Sequence, residues 1–363
     1  MESSSKDSAN NEILQYLKSI ESRISKIESV LDLPAAQAEE EIETEPIIKK
    51  SKSESDEELE FRIGQFWFAK LGIFVFLVGW LIANTLPFEG MNQIIPVVVG
   101  FLIGLVTILT SLYLRNKLPH ISGWILGSGF AIIYIAVLRM HFFHTMPIVT
   151  NIIPIIVMIY IVSFTLIQTG IKWNSTYITA FGFSLGYLSA LIGDYSILIF
   201  LTITLLAIHS VYLKSKLNWN GLFNFAIVTS FIVHLLWFIN NPLVGNPLEL
   251  QIDQPFNLIF ILVYLVIFTT AYFADKKYEE SLPTALSILV ITSMSYGLFL
   301  LITILSAPTF GQVYNLLASA IFLGIAIQFY VKKSSKTATF YYAMTGYAAL
   351  SVAIILQFDQ PEE

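Results

Sequence analysis

The sequence predicts an all-α fold: a polytopic transmembrane helical bundle of about eleven spans, N-terminus inside and C-terminus outside, behind a cytoplasmic coiled-coil-like helix. Three observations predict it. The chain is 55% hydrophobic and only 13% charged, with mean hydropathy +0.71, whereas soluble domains are about one quarter charged. Its apolar residues fall in blocks close to the about 20 residues of helix that cross a bilayer. Lysine and arginine then collect at alternate block boundaries, as orientation in a membrane requires.

The first sixty residues are of another kind. They hold 16 acidic and 7 basic side chains, against 10 and 13 in residues 61–363, so the formal charge of −6 belongs to the tail. No apolar stretch of the signal-peptide type opens the chain, and the first span is expected to direct insertion. Within 1–33, Ile13, Leu17, Ile20, Ile24, Ile27 and Leu31 are spaced 4, 3, 4, 3, 4. With the leucines and Ile24 at a and the other isoleucines at d, this is a three-heptad seam that favours more than two strands. It predicts self-association or docking on a partner helix through 11–33. Residues 34–60 are acidic and poor in aromatics, which predicts an unpacked tether. The membrane domain is 61–363.

Eleven helical spans are expected, near 66–86, 94–114, 121–140, 152–170, 175–192, 196–214, 219–240, 255–274, 283–306, 310–331 and 338–357. One set of boundaries carries Arg62, Lys70, Arg115, Lys117, Lys172, Lys214, Lys216, Lys276, Lys277, Lys332, Lys333 and Lys336, and the opposite set carries only Arg139. That bias places the N-terminus in the cytoplasm. Trp67, Trp124, Trp173 and Trp219 mark inner helix ends, and Trp80 and Trp237 lie toward outer ones, as an aromatic belt would.

Residues 182–186 read GFSLG, the pattern of a serine nucleophile elbow. That elbow needs a strand, a sharp turn and a helix, and here the surrounding sequence is continuously helical. A rhomboid-like intramembrane serine protease would need a histidine level with Ser184, and neither His209 nor His234 matches its depth. Packing explains the motif better. Gly182, Gly186 and Ala190 recur every four residues, the small-residue spacing that lets helices approach closely in lipid. Gly100 with Gly104 and Gly123 with Gly127 repeat it. Ser184 points away from this seam and is expected to bond its own i−4 carbonyl.

The stretch RIGQFWFAKLGIFVFLVG (62–79) resembles the opening signature of a bacterial predicted-membrane-protein family, domain-of-unknown-function 2339, in which a Trp, a basic residue, a Gly and an apolar run ending in Gly follow a cytoplasmic coiled coil. Trp67, Lys70, Gly72 and Gly79 stand at those positions. TAFGFSLGYLSALIGD (179–194) is similar to the family's Gly-rich later span, and MPIVTNIIP (146–154) to its proline-bearing loop. The resemblance covers the first half of the membrane region in motifs and the rest in hydropathy. It implies an architecture and a bacterial cytoplasmic (inner) membrane setting, but no reaction.

Among polar residues, Lys70 with Trp67 is read as an interfacial anchor, its ammonium snorkelling to the boundary. Arg139 alone breaks the positive-inside pattern. With His141 and His144 in RMHFFH it is a candidate outward-facing site for a phosphate or an anionic lipid head group. The bland reading is an ion pair with Asp194 or Glu89. His141 and His144 share a helical face, but nothing completes a ligand set, so no metal is expected. His209, His234, Asn224, Gln312, Asn315 and Gln328 are expected to bond neighbouring helices. Cysteine is absent. No phosphate-binding loop, intramembrane acidic series or basic footprint for nucleic acid occurs, and no cofactor is implied. The sequence therefore points to a non-enzymatic membrane scaffold or assembly component, its partners membrane lipid and whatever 11–33 binds. A transporter or flippase for a lipid-like or anionic substrate is the alternative.

Overall fold

The computed structural model describes residues 67–86, 92–143, 147–252, 256–273, 282–332 and 334–358. The heptad seam, the acidic tether, Glu89 and His144 lie outside them. Among the described residues eleven α-helices follow in order: α1 (Ala69–Thr85), α2 (Ile94–Leu114), α3 (Pro119–Arg139), α4 (Ile152–Lys172), α5 (Thr176–Gly193), α6 (Ser196–Leu217), α7 (Asn220–Phe238), α8 (Asn257–Phe273), α9 (Leu282–Ser306), α10 (Gly311–Val331) and α11 (Lys336–Phe358). No strand occurs among the described residues. The helices fall where the apolar blocks predict them. Among the described residues nine are long and apolar enough to cross a membrane, which makes this a multi-pass architecture. The other two, α1 and α8, have 17 residues each. That is about 26 Å of helix, just short of an about 30 Å hydrocarbon core.

Local chemistry sets the helix ends. Asn151 caps α4, its side chain accepting from the Ile153 N–H at 3.0 Å. Ser175 does the same for α5 through Ile178 at 3.4 Å. Asn and Asp tolerate the left-handed backbone that reverses a chain tightly. Asn174 (φ 50°), Asp194 (φ 51°) and Asn218 (φ 55°) occupy it. They hold the connections between α4, α5, α6 and α7 to two or three residues, so each helix packs antiparallel to the next.

Glycine decides how closely these hairpins close. A Cβ on Gly182 would stand 2.6 Å from Ile167 Cγ1 and 2.9 Å from its backbone nitrogen, across the α4–α5 contact. Gly170 meets the Thr179 nitrogen at 2.6 Å in the same hairpin, and Gly346 of α11 meets Leu323 of α10 at 2.7 Å. Gly104 and Gly129 face one another between α2 and α3, each Cβ position 3.1 Å from the other's carbonyl. Gly100 abuts the Ala136 Cβ at 2.9 Å. The three residues Gly182, Gly186 and Ala190 do not serve a single neighbour: Gly186 meets Leu206 of α6 at 3.3 Å, and Ala190 is fully buried. Gly123 and Gly127 of α3 face α5, at 3.4 Å from Ile178 and 3.2 Å from Phe181.

Two apolar cores run through the bundle. One joins α3, α4 and α5 around Leu126, Tyr134, Ile159 and Leu166. The other runs from α5 to α11 around Phe183, Phe223, Phe268 and Phe329. Polar pairs stitch neighbouring helices within them: Tyr187 with Ser230 at 2.9 Å, Ser287 to Asn224 at 2.6 Å, and Tyr296 to Asn315 at 2.9 Å. Asn224, His234 and Asn315 thus bond neighbouring helices as expected. Ser184 donates to the Ala180 carbonyl at 3.0 Å, its i−4 partner.

At the basic end, cations lie over aromatic rings. Lys70 Nζ is 5.8 Å from the Trp67 ring centre and 5.6 Å from that of Trp124, so the expected anchor pair also reaches α3. Arg115 lies 4.6 Å over Trp173. Lys214 is the most enclosed of them, 8% exposed, with Nζ 3.6 Å from the Tyr272 ring centre and 4.8 Å from that of Phe223. A desolvated cation–ring contact contributes about 2 kcal/mol. Lys214→Gln is therefore expected to lower the unfolding free energy by about 2 kcal/mol, seen as a lower midpoint in a thermal melt of the detergent-solubilised protein. An unchanged midpoint would show that the ring cage contributes nothing.

Candidate functional site

Arg139 is the last residue of α3, where the chain leaves the helix toward the loop that precedes α4. Its side chain is fully buried. Nη2 donates to the Leu86 carbonyl at 3.2 Å, tying the end of α3 to the end of α1. His141 turns the other way: its Nδ1 lies 2.9 Å from the Val149 carbonyl, beside a Val149 N–H to Met140 carbonyl bond of 3.0 Å that closes the loop. Arg139 and His141 thus each reach a backbone carbonyl of a different segment. Asp194, one proposed ion-pair partner, is engaged elsewhere: Oδ1 accepts from Asn241 Nδ2 at 2.7 Å and Oδ2 from Asn246 Nδ2 at 2.9 Å.

A second polar assembly was not singled out by the sequence reading. Ser230, His234 and Trp237 follow one another at spacings of four and three along α7, which places them on one helical face, and Asn241 follows just past the helix end. Opposite stand Tyr187 from α5, Asp194 just past its end, Ser196 from the start of α6, and Asn257 and Tyr264 from α8. His234 is fully buried. Its Nε2 lies 2.6 Å from Asn257 Oδ1. Among the described residues His234 Nδ1, Asn257 Nδ2 and Tyr264 Oη have no hydrogen-bond partner. Buried polar groups without partners carry a desolvation cost, and a run of them on one axis is unusual. The ring of His234 packs against Phe200 at 5.1 Å and against Tyr264 and Trp237 at 5.7 Å each.

Trp237 and Asn241 also border a cavity of about 100 Å³, lined in addition by Asp194, Ser196, Asn240 and Gln251. Trp237 Nε1 donates to Ser196 Oγ at 3.0 Å. Gln251 Nε2 donates to Asn240 Oδ1 at 2.9 Å, and Asn240 Nδ2 donates to the Pro247 carbonyl at 3.0 Å. A larger cavity of about 190 Å³ lies between α8, α9 and α10, walled by Leu262, Phe299 and Leu317 among others. It is apolar apart from such groups as Ser295, whose hydroxyl has no partner among the described residues. No group of three metal-ligating side chains of the His, Cys, Asp and Glu type occurs among the described residues.

No family model, curated protein or solved structure matches the chain.

Proposed function

We propose that the protein is a non-enzymatic scaffold or assembly component of a bacterial inner membrane. In this reading it has eleven spans, a cytoplasmic N-terminus and an outward C-terminus, and the helix over 11–33 gathers copies of the chain or a partner. The resemblance of 62–79 to the domain-of-unknown-function 2339 family supports the bacterial setting, and the boundary charges support the orientation. The observation that carries the scaffold reading is the hairpin packing. At Gly104–Ile133, Gly170–Thr179, Gly182–Ile167 and Gly346–Leu323 the helices stand too close for a Cβ unless something shifts. Contacts of this kind resist sliding, because close-packed surfaces do not deform gradually. A membrane part fixed in this way suits a platform for a tethered association helix.

The test is native mass spectrometry of the protein released in gentle detergent. The full chain is expected as a defined multimer, and a chain lacking residues 1–60 as a monomer. The same mass for both would sink the scaffold reading.

Transport or flipping of a lipid-like substrate is the second reading. The polar file Asn241–Trp237–His234–Asn257 favours it, because polar groups inside a bundle line pathways more readily than anchors need them. A lipid-handling protein keeps its activity without residues 1–60, and a scaffold does not.

A further inference from the structure

We propose that the cavity at the end of α5, the start of α6 and the end of α7 recognises a primary ammonium group, carried by an aminophospholipid head group or by a free amine. The donors and acceptors around it lead to that class. Asn241 is 1% exposed. Its Nδ2 donates to the Leu191 carbonyl and to Asp194 Oδ1, both at 2.7 Å. Both partners can only accept, so chemistry fixes which end of the amide is nitrogen. Oδ1 is then the end left over, and it has no partner among the described residues. A buried acceptor without a donor is costly unless something supplies one.

The remaining lining has the same polarity. Each oxygen of Asp194 accepts one amide hydrogen, and a carboxylate has about four acceptor positions, so each oxygen retains capacity. Gln251, held in place through its Nε2, has an amide oxygen to offer. Asp194 gives the lining one full negative charge, and no basic side chain lines the cavity. An anion would meet a carboxylate and amide oxygens, and is disfavoured. A divalent metal is poorly served by one carboxylate whose oxygens already hold amide donors. An ammonium group brings three N–H donors and one positive charge. Trp237 in the wall suits an organic cation, since indole attracts cations more strongly than the other aromatic rings, and its bond to Ser196 holds the ring.

The rim is built in advance of any ligand. Asp194 (φ 51°), Asn240 (φ 65°) and Asn241 (φ 49°) take the left-handed backbone that Asn and Asp tolerate, and hydrogen bonds among Asp194, Asn241, Asn240 and Gln251 hold their side chains. The site lies at the helix ends opposite Lys172, Lys214 and Lys216.

The experiment uses the full chain in detergent. Native mass spectrometry reads the retention of added phosphatidylethanolamine, phosphatidylglycerol and phosphatidylcholine, and a thermal melt reads the effect of millimolar ethanolamine. Two variants accompany the wild type. Asp194→Asn removes the charge. Ser196→Asp adds a second carboxylate that still accepts from Trp237, at a helix N-terminus that favours it. Selective retention of one phosphatidylethanolamine, about tenfold weaker in Asp194→Asn and stronger in Ser196→Asp, supports the site with a lipid as its source. Stabilisation by ethanolamine without lipid selectivity, changed in the same directions by the variants, supports it with a free amine as its source. Should Asp194→Asn fail to fold, Ser196→Asp alone decides. Phosphatidylcholine retained as well as phosphatidylethanolamine would overturn the proposal, because its quaternary ammonium has no N–H. So would binding that neither variant alters, and so would the absence of any lipid selectivity or ethanolamine effect.

Discussion

Gly182→Leu is expected to prevent the α4–α5 hairpin from closing and to leave little folded protein in the membrane fraction. Even the first added carbon would stand 2.9 Å from the Ile167 backbone nitrogen, and backbone does not move aside as a flexible side chain does. Overpacking a core costs about 1–3 kcal/mol where side chains can adjust, so Gly182→Ala already falls in or above that range and leucine well beyond it. The matched control is Gly324→Ala in α10, where nothing lies within 4 Å of the new carbon. It should leave the melting midpoint unchanged or raised, since alanine is the better helix former by about 1 kcal/mol. Both are read as folded yield and thermal midpoint in the same detergent. Equal behaviour of Gly182→Ala and Gly324→Ala would refute the packing account of GFSLG.

Arg139→Ala is expected to lower stability by about 3 kcal/mol or more. The substitution takes a fully buried guanidinium from between α3 and α1. It leaves the Leu86 carbonyl without that donor, and a space where the side chain stood. The loss should be local at first, so limited proteolysis near the end of α1 is expected to quicken before the rest of the chain is cut. Arg139→Gln separates a structural role from the anionic-ligand reading. A large drop in the melting midpoint with unchanged phosphatidylglycerol retention marks a tie between helices. An unchanged midpoint with lost phosphatidylglycerol marks a binding site.

Helix number and position were legible because lipid-length apolar blocks separated by charge admit little else. Packing at Gly182 was legible through its spacing, since small residues four apart mark one helical strip. The partners of that strip were not legible: Gly182 meets α4 while Gly186 meets α6, which depends on where two other helices lie. Gly129, Gly170 and Gly346 escaped notice because each makes its close approach outside the small-residue pairs the sequence reading picked out. The polar file was hidden for a similar reason. Of its members only His234 and Trp237 were weighed, each by itself; the four-three spacing of Ser230, His234 and Trp237 could have joined those three, and Asn241 lies past the helix end. Asp194 and Gln251 come from turns far along the chain, so no local pattern brings them to Asn241.

The tight turns at Asn174, Asp194 and Asn218 bear on how the protein is made. From Ile152 to Phe238 the chain runs through four helices with connections of two or three residues. Slack of that size cannot let one helix cross a bilayer while its neighbour waits outside. α4 to α7 must therefore enter the membrane as coupled hairpins rather than singly. A helix of modest hydropathy such as α5, at 1.3 against 2.2 for α4 and 2.1 for α6, is carried in by the neighbours on either side of it. Biogenesis thus depends on these turn residues, and a reporter or epitope spliced between Trp173 and Trp219 would separate helices that have to arrive together.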